Sequence, residues 1–411
     1  MKNFFFFILF FSIPGLVYSQ SVETGAQVLI EHHLDELKGK KVGLVMNSTA
    51  RVEGTHMLDT LLALGVDVTA LFSPEHGFRG EYGAGEMIQN GVDQASGLPV
   101  FSLYGDTKKP TPKMLQQVDL LLFDMQGVGA RFYTYISTLG LVLEAAAESN
   151  IPIWILDRPN PAGGQMIAGW LMREKHRSFV GAYPIPMVHG LTIGELAKMM
   201  IGEHWIDFNK SPNLRIIKMK NWKRSTQWPE TGLPWIPPSP NLPTFEHAFA
   251  YLGTVLFEGT TISEGRGSAD PFLTVGSPST HISKNQLQKL RAVFPAASIK
   301  KIAFTPKAIP GTAPEPKFKG QKCYGIKFRI KDYKRFSPVA FGVALLKVML
   351  NATDNAEVTD YMELLTGIDN EELLNQLKER SYKKYWQQTE EVFAKKRREY
   401  LLYKCCYLQT R

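Results

Sequence analysis

The stretch "SPEHGFRGEYGAGE", residues 73–86, gathers Glu75, His76, Arg79, Glu81 and Glu86 on one short segment, with Gly77, Gly80, Gly83 and Gly85 between them. Acids, an imidazole and a guanidinium on a backbone free to turn sharply suit proton transfer to a bound polar molecule. Three further groupings pair acids with arginines. "DMQGVGARFYTY", residues 124–135, carries Asp124, Gln126, Arg131, Tyr133 and Tyr135; "DRPNPAGG", residues 157–164, carries Asp157, Arg158 and Asn160; "ISEGRGSADPF", residues 262–272, carries Glu264 and Arg266. Glycoside hydrolysis needs two carboxyl groups about one bond, one of them protonated near neutral pH. Arginines could clamp a carboxylate on the substrate by paired hydrogen bonds. Taken singly, an acid–arginine pair is more often a structural salt bridge, and His76 alone more often a hydrogen-bonded loop residue than a catalyst.

Other chemistries lack their templates. "MQGVGARF" holds Gly-x-Gly without the third glycine of a dinucleotide fold, and no Gly-Lys-Ser/Thr phosphate loop, His-Glu-x-x-His or Gly-x-Ser-x-Gly occurs. Nucleotide, zinc-peptidase and lipase readings are disfavoured, and the chemistry proposed needs no cofactor and no metal. Ser73 lies beside Glu75 and His76, but sequence neighbours seldom form a nucleophile–base–acid array.

The elements that must position these groups alternate. Apolar runs "KVGLVMNST", "VDVTALFS", "LPVFSLYG", "VDLLLFDM" and "IPIWILD" read as strands, and "GTHMLDTLLALG", "PTPKMLQQ", "RFYTYISTLGLVLEAAAESN" and "LTIGELAKMMIGEHW" as helices. Near-continuous apolar strands between helices predict a parallel sheet covered on both faces. Ligands of such sheets sit beyond the carboxyl ends of the strands, where three of the four groupings fall. A proline-rich passage, "WPETGLPWIPPSPNLPTFEHAFAY", follows, and its Trp228, Trp235, Phe245 and Phe249 could stack on sugar faces. "YGIKFRI" and "PVAFGVALLKVMLNAT" lie in the remainder, which reads as a smaller α+β unit. The predicted division is a signal over 1–19, a Rossmann-like unit over 25–205 and a C-terminal unit over 206–411.

"MKNFFFFILFFSIPGLVYSQ" has one cation, Lys2, an apolar run from Phe4 to Phe11 and small polar residues about Ser19, the pattern of a secretory signal cleaved after Ser19. An uncleaved anchor is the alternative, though the run is short for a span. No later segment could span, so the expectation is an exported protein, periplasmic or secreted, without stable membrane insertion. Cys323, Cys405 and Cys406 make neither a disulfide framework nor a spaced zinc set. The net charge of +8 has its excess late, in "KERSYKKYWQQTEEVFAKKRREYLLYK", whose helical spacing reads as a solvated face; no nucleic-acid partner is expected.

"SPEHGFRG", "DMQGVGARFYTY", "DRPNPAGG" and "ISEGRGSADPF", in this order, with "PIPMVHGLTIGELA" and "WIPPSPNLPT" between, resemble the exo-β-N-acetylmuramidase family typified by NamZ, glycoside hydrolase family 171. The similarity runs over about residues 25–405. It implies removal of N-acetylmuramic acid from the non-reducing end of peptidoglycan fragments, with the site in the cleft between the two units. It implies Glu75 as the leading catalytic group. Glu264, or Asp124 in its place, is expected as the second carboxylate. Arg79, Arg131, Arg158 and Arg266 are expected about the sugar's lactyl carboxylate and acetamido group. Tyr133 and Tyr135 would orient the acid or stabilise charge, and His76, Gln126, Asp157 and Asn160 would complete the pocket. A non-catalytic cell-wall-sugar binder and a hydrolase of a muropeptide amide or ester are the alternatives.

Overall fold

The computed structural model describes residues 21–403 apart from 81–85, 87–88 and 380. The signal segment, Glu81, Cys405 and Cys406 lie outside the described residues.

Seven strands form the main sheet. In chain order they are β1 (Val42–Met46), β2 (Val68–Ser73), β3 (Gly91–Val92), β4 (Pro99–Ser102), β5 (Leu120–Asp124), β6 (Ile153–Leu156) and β7 (Leu214–Ile217). Their spatial order is β7-β6-β5-β1-β2-β4-β3, parallel throughout except for the β3–β4 edge. The chain builds outward from β1 to one side, then returns to build outward from β5 on the other. This is the doubly wound order, with its switch point between β1 and β5.

The strands are apolar on both faces because both are covered. Leu44, Leu71, Leu122 and Leu156 pack on one side with Ala26 and Leu29 of α1 (Gly25–His32) and Leu58 and Leu61 of α2 (Met57–Ala63). Val45, Phe72, Phe123 and Ile155 pack on the other with α3 (Tyr135–Glu148) and α4 (Ile193–Gly202). Thr192 and Glu195 close a capping box at the start of α4, satisfying donors that the helix itself leaves open.

Two elements differ from the sequence reading. "PTPKMLQQ" forms turns, closed by bonds from the Leu115 N–H to the Thr111 carbonyl and from the Val118 N–H to that of Leu115. β7 falls within the span assigned to the second unit, yet Leu214–Ile217 pairs with Ile153–Leu156 as the edge of the first sheet.

The second unit holds an antiparallel sheet of β8 (Thr274–Ser277), β9 (Ala297–Phe304) and β10 (Cys323–Ile330), ordered β8-β10-β9. Against it lie α5 (Phe245–Thr254), which begins two residues after the last proline of the proline-rich passage, α6 (Lys284–Val293) and α7 (Pro338–Ala352). α5 and α7 cross so closely that a Cβ at Gly253 would stand 1.9 Å from the Pro338 carbonyl oxygen. Three helices and a 3₁₀ turn close the regular structure of the described residues: α8 (Tyr361–Thr366), α9 (Asn370–Glu379), α10 (Tyr382–Lys396) and the turn over Arg397–Tyr400. α10 is amphipathic as expected, burying Trp386, Thr389 and Phe393. Its Trp386 meets Trp170 of the first unit edge to face, 5.2 Å between centroids. One continuous apolar core thus runs through both units.

Candidate active site

The switch-point crevice is filled by the protein itself. Asn47, just past β1, accepts from the Thr49 hydroxyl at 2.6 Å, donates to the Tyr135 hydroxyl at 2.6 Å, and Thr49 in turn accepts from the Gln126 backbone at 3.0 Å. Gln126 donates to the Gly127 and Pro159 carbonyls, and Asn160 to that of Leu191. What remains between Gln126, Arg158, Asn160 and His189 is a void of about 20 Å³, room for one water. A sugar does not enter here.

Several expected site residues are therefore structural. Asp124 is fully buried and held by Arg158 through a two-point fork, Nη2 to Oδ2 at 2.8 Å. Asp157 is also fully buried and accepts from Thr192 at 2.8 Å, the Gly194 backbone at 2.9 Å and the Tyr403 hydroxyl at 2.6 Å. Burial pushes its carboxyl up to about 7. Arg131 gives its guanidinium to the carbonyls of Trp170, Ile185 and Leu365 at 2.9, 2.9 and 2.6 Å, pinning α8 to the first unit. Arg79 forks onto Asp93 and Asp59, with Nε–Oδ1 of Asp93 at 2.6 Å and Nη2–Oδ1 of Asp59 at 3.0 Å. Its hydrogen bonds hold the Asp93 carboxyl down at about 2. Asp124, Gln126, Arg79, Arg131, Asp157, Arg158 and Asn160 thus stand apart from the cavity described next, and Tyr135 does not line it but sets its hydroxyl 3.4 Å from the Glu75 carbonyl oxygen. Acid–arginine pairs at strand ends serve here to staple loops, because each guanidinium finds its carboxylate or carbonyls within the protein.

This cavity lies beyond β2, between the units, with a volume of about 510 Å³. The first unit contributes Glu75, His76, Tyr104, Tyr133 and Thr134. His76 takes a left-handed backbone, φ 76°, and Gly77 follows at φ 88°, so the chain turns sharply as it leaves the strand. Thr134 donates its hydroxyl to Glu75 Oε2 at 2.7 Å. The Tyr104 hydroxyl also bonds to Glu75, and burial together with that carboxylate pushes the phenol up.

The second unit contributes Tyr251, Glu258, Arg266, Phe272 and Tyr361, with the segment Thr312–Pro316 at the mouth. Glu258 sits on a 3₁₀ turn, Val255–Gly259, that continues α5. Lys317 donates to the Phe257 carbonyl at 2.7 Å and the Ile262 carbonyl at 3.2 Å, fixing the end of that turn. Arg266 donates Nε at 3.1 Å and Nη2 at 2.5 Å to a single oxygen, Oε1, of Glu258, and its guanidinium lies over Phe272, 5.0 Å from the centroid. Glu264 is buried behind this pair, 3.1 Å from Lys317 Nζ and 3.6 Å from Arg266 Nε, and does not face the cavity. Two acids of the second unit line the cavity, Glu258 in its wall and the exposed Glu315 at its mouth. Burial raises the Glu258 carboxyl, Arg266 lowers it and Glu264 raises it again. Tyr251 and Tyr361 lie within electrostatic reach of both Glu75 and Glu258.

In the sequence Glu258 lacks the neighbouring arginine that makes Glu264 stand out. The available signal was a single acid in an otherwise apolar run, "TVLFEGTT". The aromatics also lie elsewhere than expected. Trp228, Phe245 and Phe249 are buried, and Trp235 packs edge to face with Trp228 at 5.1 Å, as core of the second unit. The proline-rich passage brings Ser239 and Leu242 to the cavity instead. Ser73 is buried, donates to the Pro74 carbonyl at 3.3 Å and does not face the cavity, so a serine nucleophile has no support.

Family models for the exo-β-N-acetylmuramidase NamZ match the chain in both halves, the N-terminal model over residues 42–246 and the C-terminal model over 249–403. The peptidoglycan β-N-acetylmuramidase NamZ of Bacillus subtilis (strain 168) is 40% identical over 409 residues, spanning 93% of this chain and 91% of that protein. Two DUF1343 family crystal structures from Bacteroides fragilis NCTC 9343 are each 32% identical. One superposes with a TM-score of 0.83 over 93% of this chain and 99% of its own, the other with 0.77 over 94% and 99%. The chain belongs to the NamZ family of exo-β-N-acetylmuramidases.

Proposed function

We propose that the chain is an exo-acting glycoside hydrolase that removes β-1,4-linked N-acetylmuramic acid from the non-reducing end of peptidoglycan fragments. One observation carries the reading: a carboxyl group from each unit, Glu75 and Glu258, faces the same aromatic-walled cavity. Two-carboxyl hydrolysis divides the acid from the base or nucleophile between such groups. Glu75, set by Thr134 and Tyr104, is the leading proton-handling group. Glu258 replaces Glu264 as its partner. Tyr251, Tyr361 and Phe272 offer faces on which a sugar ring packs, and Arg266 is the guanidinium that meets a lactyl carboxylate. The name of the Bacillus relative supports the same substrate. Its polymer lies outside the cytoplasm, and the apolar N-terminal run supports export to the periplasm or medium.

The test is incubation with a MurNAc-GlcNAc disaccharide and mass analysis of products. Release of free N-acetylmuramic acid is expected. A fragment that binds and stays intact over hours points to a binding protein. Loss of peptide from an intact sugar points to an amidase.

A further inference from the structure

The cavity poses a charge problem for an anionic sugar. Among its described lining residues stand three acids, Glu75, Glu258 and Glu315, and Arg266 is the one guanidinium or ammonium group. Arg266 is already engaged. Its Nε and Nη2 both converge on one oxygen of Glu258, at 3.1 and 2.5 Å, a grip weaker than the two-oxygen fork a planar carboxylate can make. Its face is covered by Phe272. Behind it, Glu264 lies 3.6 Å from Nε and 3.1 Å from Lys317 Nζ. Glu258, Glu264, Arg266 and Lys317 therefore form a cluster of two anions and two cations. An arriving carboxylate would leave it with one negative charge too many in a poorly solvated wall. Such an excess is relieved by neutralising the acid whose charge is least supported.

We propose that Arg266 exchanges carboxylates: the lactyl carboxylate of the sugar takes the guanidinium from Glu258, and Glu258 takes up one proton from solvent. This inference rests on the muramidase reading above. The charged groups that face Glu258 fit it. Glu264 opposes its ionisation, and Tyr251 and Tyr361 stay neutral phenols; Lys317 favours the charged form, but less than Glu264 opposes it, being tied to Glu264 and to backbone carbonyls. Burial is the largest influence on Glu258 and acts in the same direction. In the complex, Glu75 and Glu258 then hold one proton between them, the condition that two-carboxyl hydrolysis needs. A sugar lacking the lactyl group leaves Glu258 on Arg266 and takes up no proton. Selection for muramic acid thus operates on kcat as well as on KM.

The experiment is calorimetric binding of free N-acetylmuramic acid and of N-acetylglucosamine to the wild-type protein near neutral pH. Each titration is repeated in two buffers of different ionisation heat, which reads proton uptake directly. Uptake approaching one proton per sugar is expected for muramic acid and none for N-acetylglucosamine. Glu258→Gln is expected to abolish the uptake and to tighten muramic acid binding roughly tenfold, because the amide competes poorly for Arg266. The wild-type titrations stand even if that variant fails to fold. Muramic acid binding without proton uptake, in protein that still cleaves MurNAc-GlcNAc, overturns the exchange alone. Equal uptake with both sugars overturns it too. Protein that neither binds muramic acid nor cleaves the disaccharide overturns the muramidase reading, and the exchange with it.

Discussion

Thr134 Oγ1 donates to Glu75 Oε2 across 2.7 Å, tying the loop after β2 to the residue that opens α3. A proton-handling carboxyl group must be held in one rotamer, and a hydroxyl on a long, buried helix does this. Glu75→Gln is expected to lower kcat about 10²–10⁴-fold with an unchanged thermal melt. Thr134→Val keeps the shape and removes the donor, and is expected to cost roughly tenfold in kcat with little change in KM. Turnover of a chromogenic β-N-acetylmuraminide measures both.

Glu258 and Glu264 separate cleanly by substitution. Glu258 faces the cavity, and Glu264 stands behind Arg266 against Lys317. Glu258→Gln should lower kcat by at least about 10²-fold. Glu264→Gln should leave kcat within about tenfold and lower stability instead, since it weakens a buried ion pair. The same chromogenic assay, paired with urea unfolding, ranks the two, and the reverse ranking would return the catalytic role to Glu264.

Arg79 belongs to stability. Its two forks join Asp59 of α2 to Asp93, just past β3, across the glycine-rich loop. Arg79→Met is expected to cost about 1–3 kcal/mol by urea unfolding, because it leaves Asp93 with an unpaired, poorly solvated charge. KM should stay within about twofold. A KM raised tenfold at unchanged stability would put Arg79 back among substrate ligands.

His189 sets an acid limit on stability. Its Nδ1 accepts from the Leu191 backbone at 3.1 Å, and burial, with Arg397 and Arg131 nearby, pushes the imidazole down to about 3. The unfolded chain binds a proton below about pH 6.5, and the folded chain does not until about 3. Its contribution is therefore complete above pH 6.5 and declines as pH falls toward 3, with a slope of at most ~1.4 kcal/mol per pH unit. His189→Asn keeps an acceptor for Leu191 and removes the titration. Urea unfolding at pH 7 and pH 5 should show the wild type losing more stability than the variant; equal losses would mean that the imidazole charges in place.

The doubly wound sheet was legible because β1, β2, β5 and β6 are apolar without alternation, which a single buried face does not require. Glu75 and His76 were legible because a strand ending in a polar, glycine-hinged loop has few structural uses. The arginines misled. Sequence shows that Arg131 and Arg158 stand at strand ends, but not that Arg158 closes on Asp124 across 34 residues or that Arg131 reaches Leu365 across 234. Those partners come from tertiary packing, as does the turn of Glu258 toward the cavity. The aromatics misled for a related reason. Trp228, Phe245 and Phe249 flank a proline-rich loop, where they suit stacking on a sugar, yet a small three-stranded sheet needs just such large side chains to build a core.

The bond from the Tyr403 hydroxyl to Asp157 Oδ2 spans 246 residues. Asp157 directly follows β6, the strand next to one edge of the first sheet, and Leu402 reaches Glu195 of the same unit with its backbone N–H. A chain emerging from the ribosome therefore cannot complete its first half when that half has been made. The buried carboxylate waits for a tyrosine synthesised 246 residues after it. Truncation just before Leu401 should leave a product that is hard to fold from its opening strands onward, although every residue of the cavity would still be present.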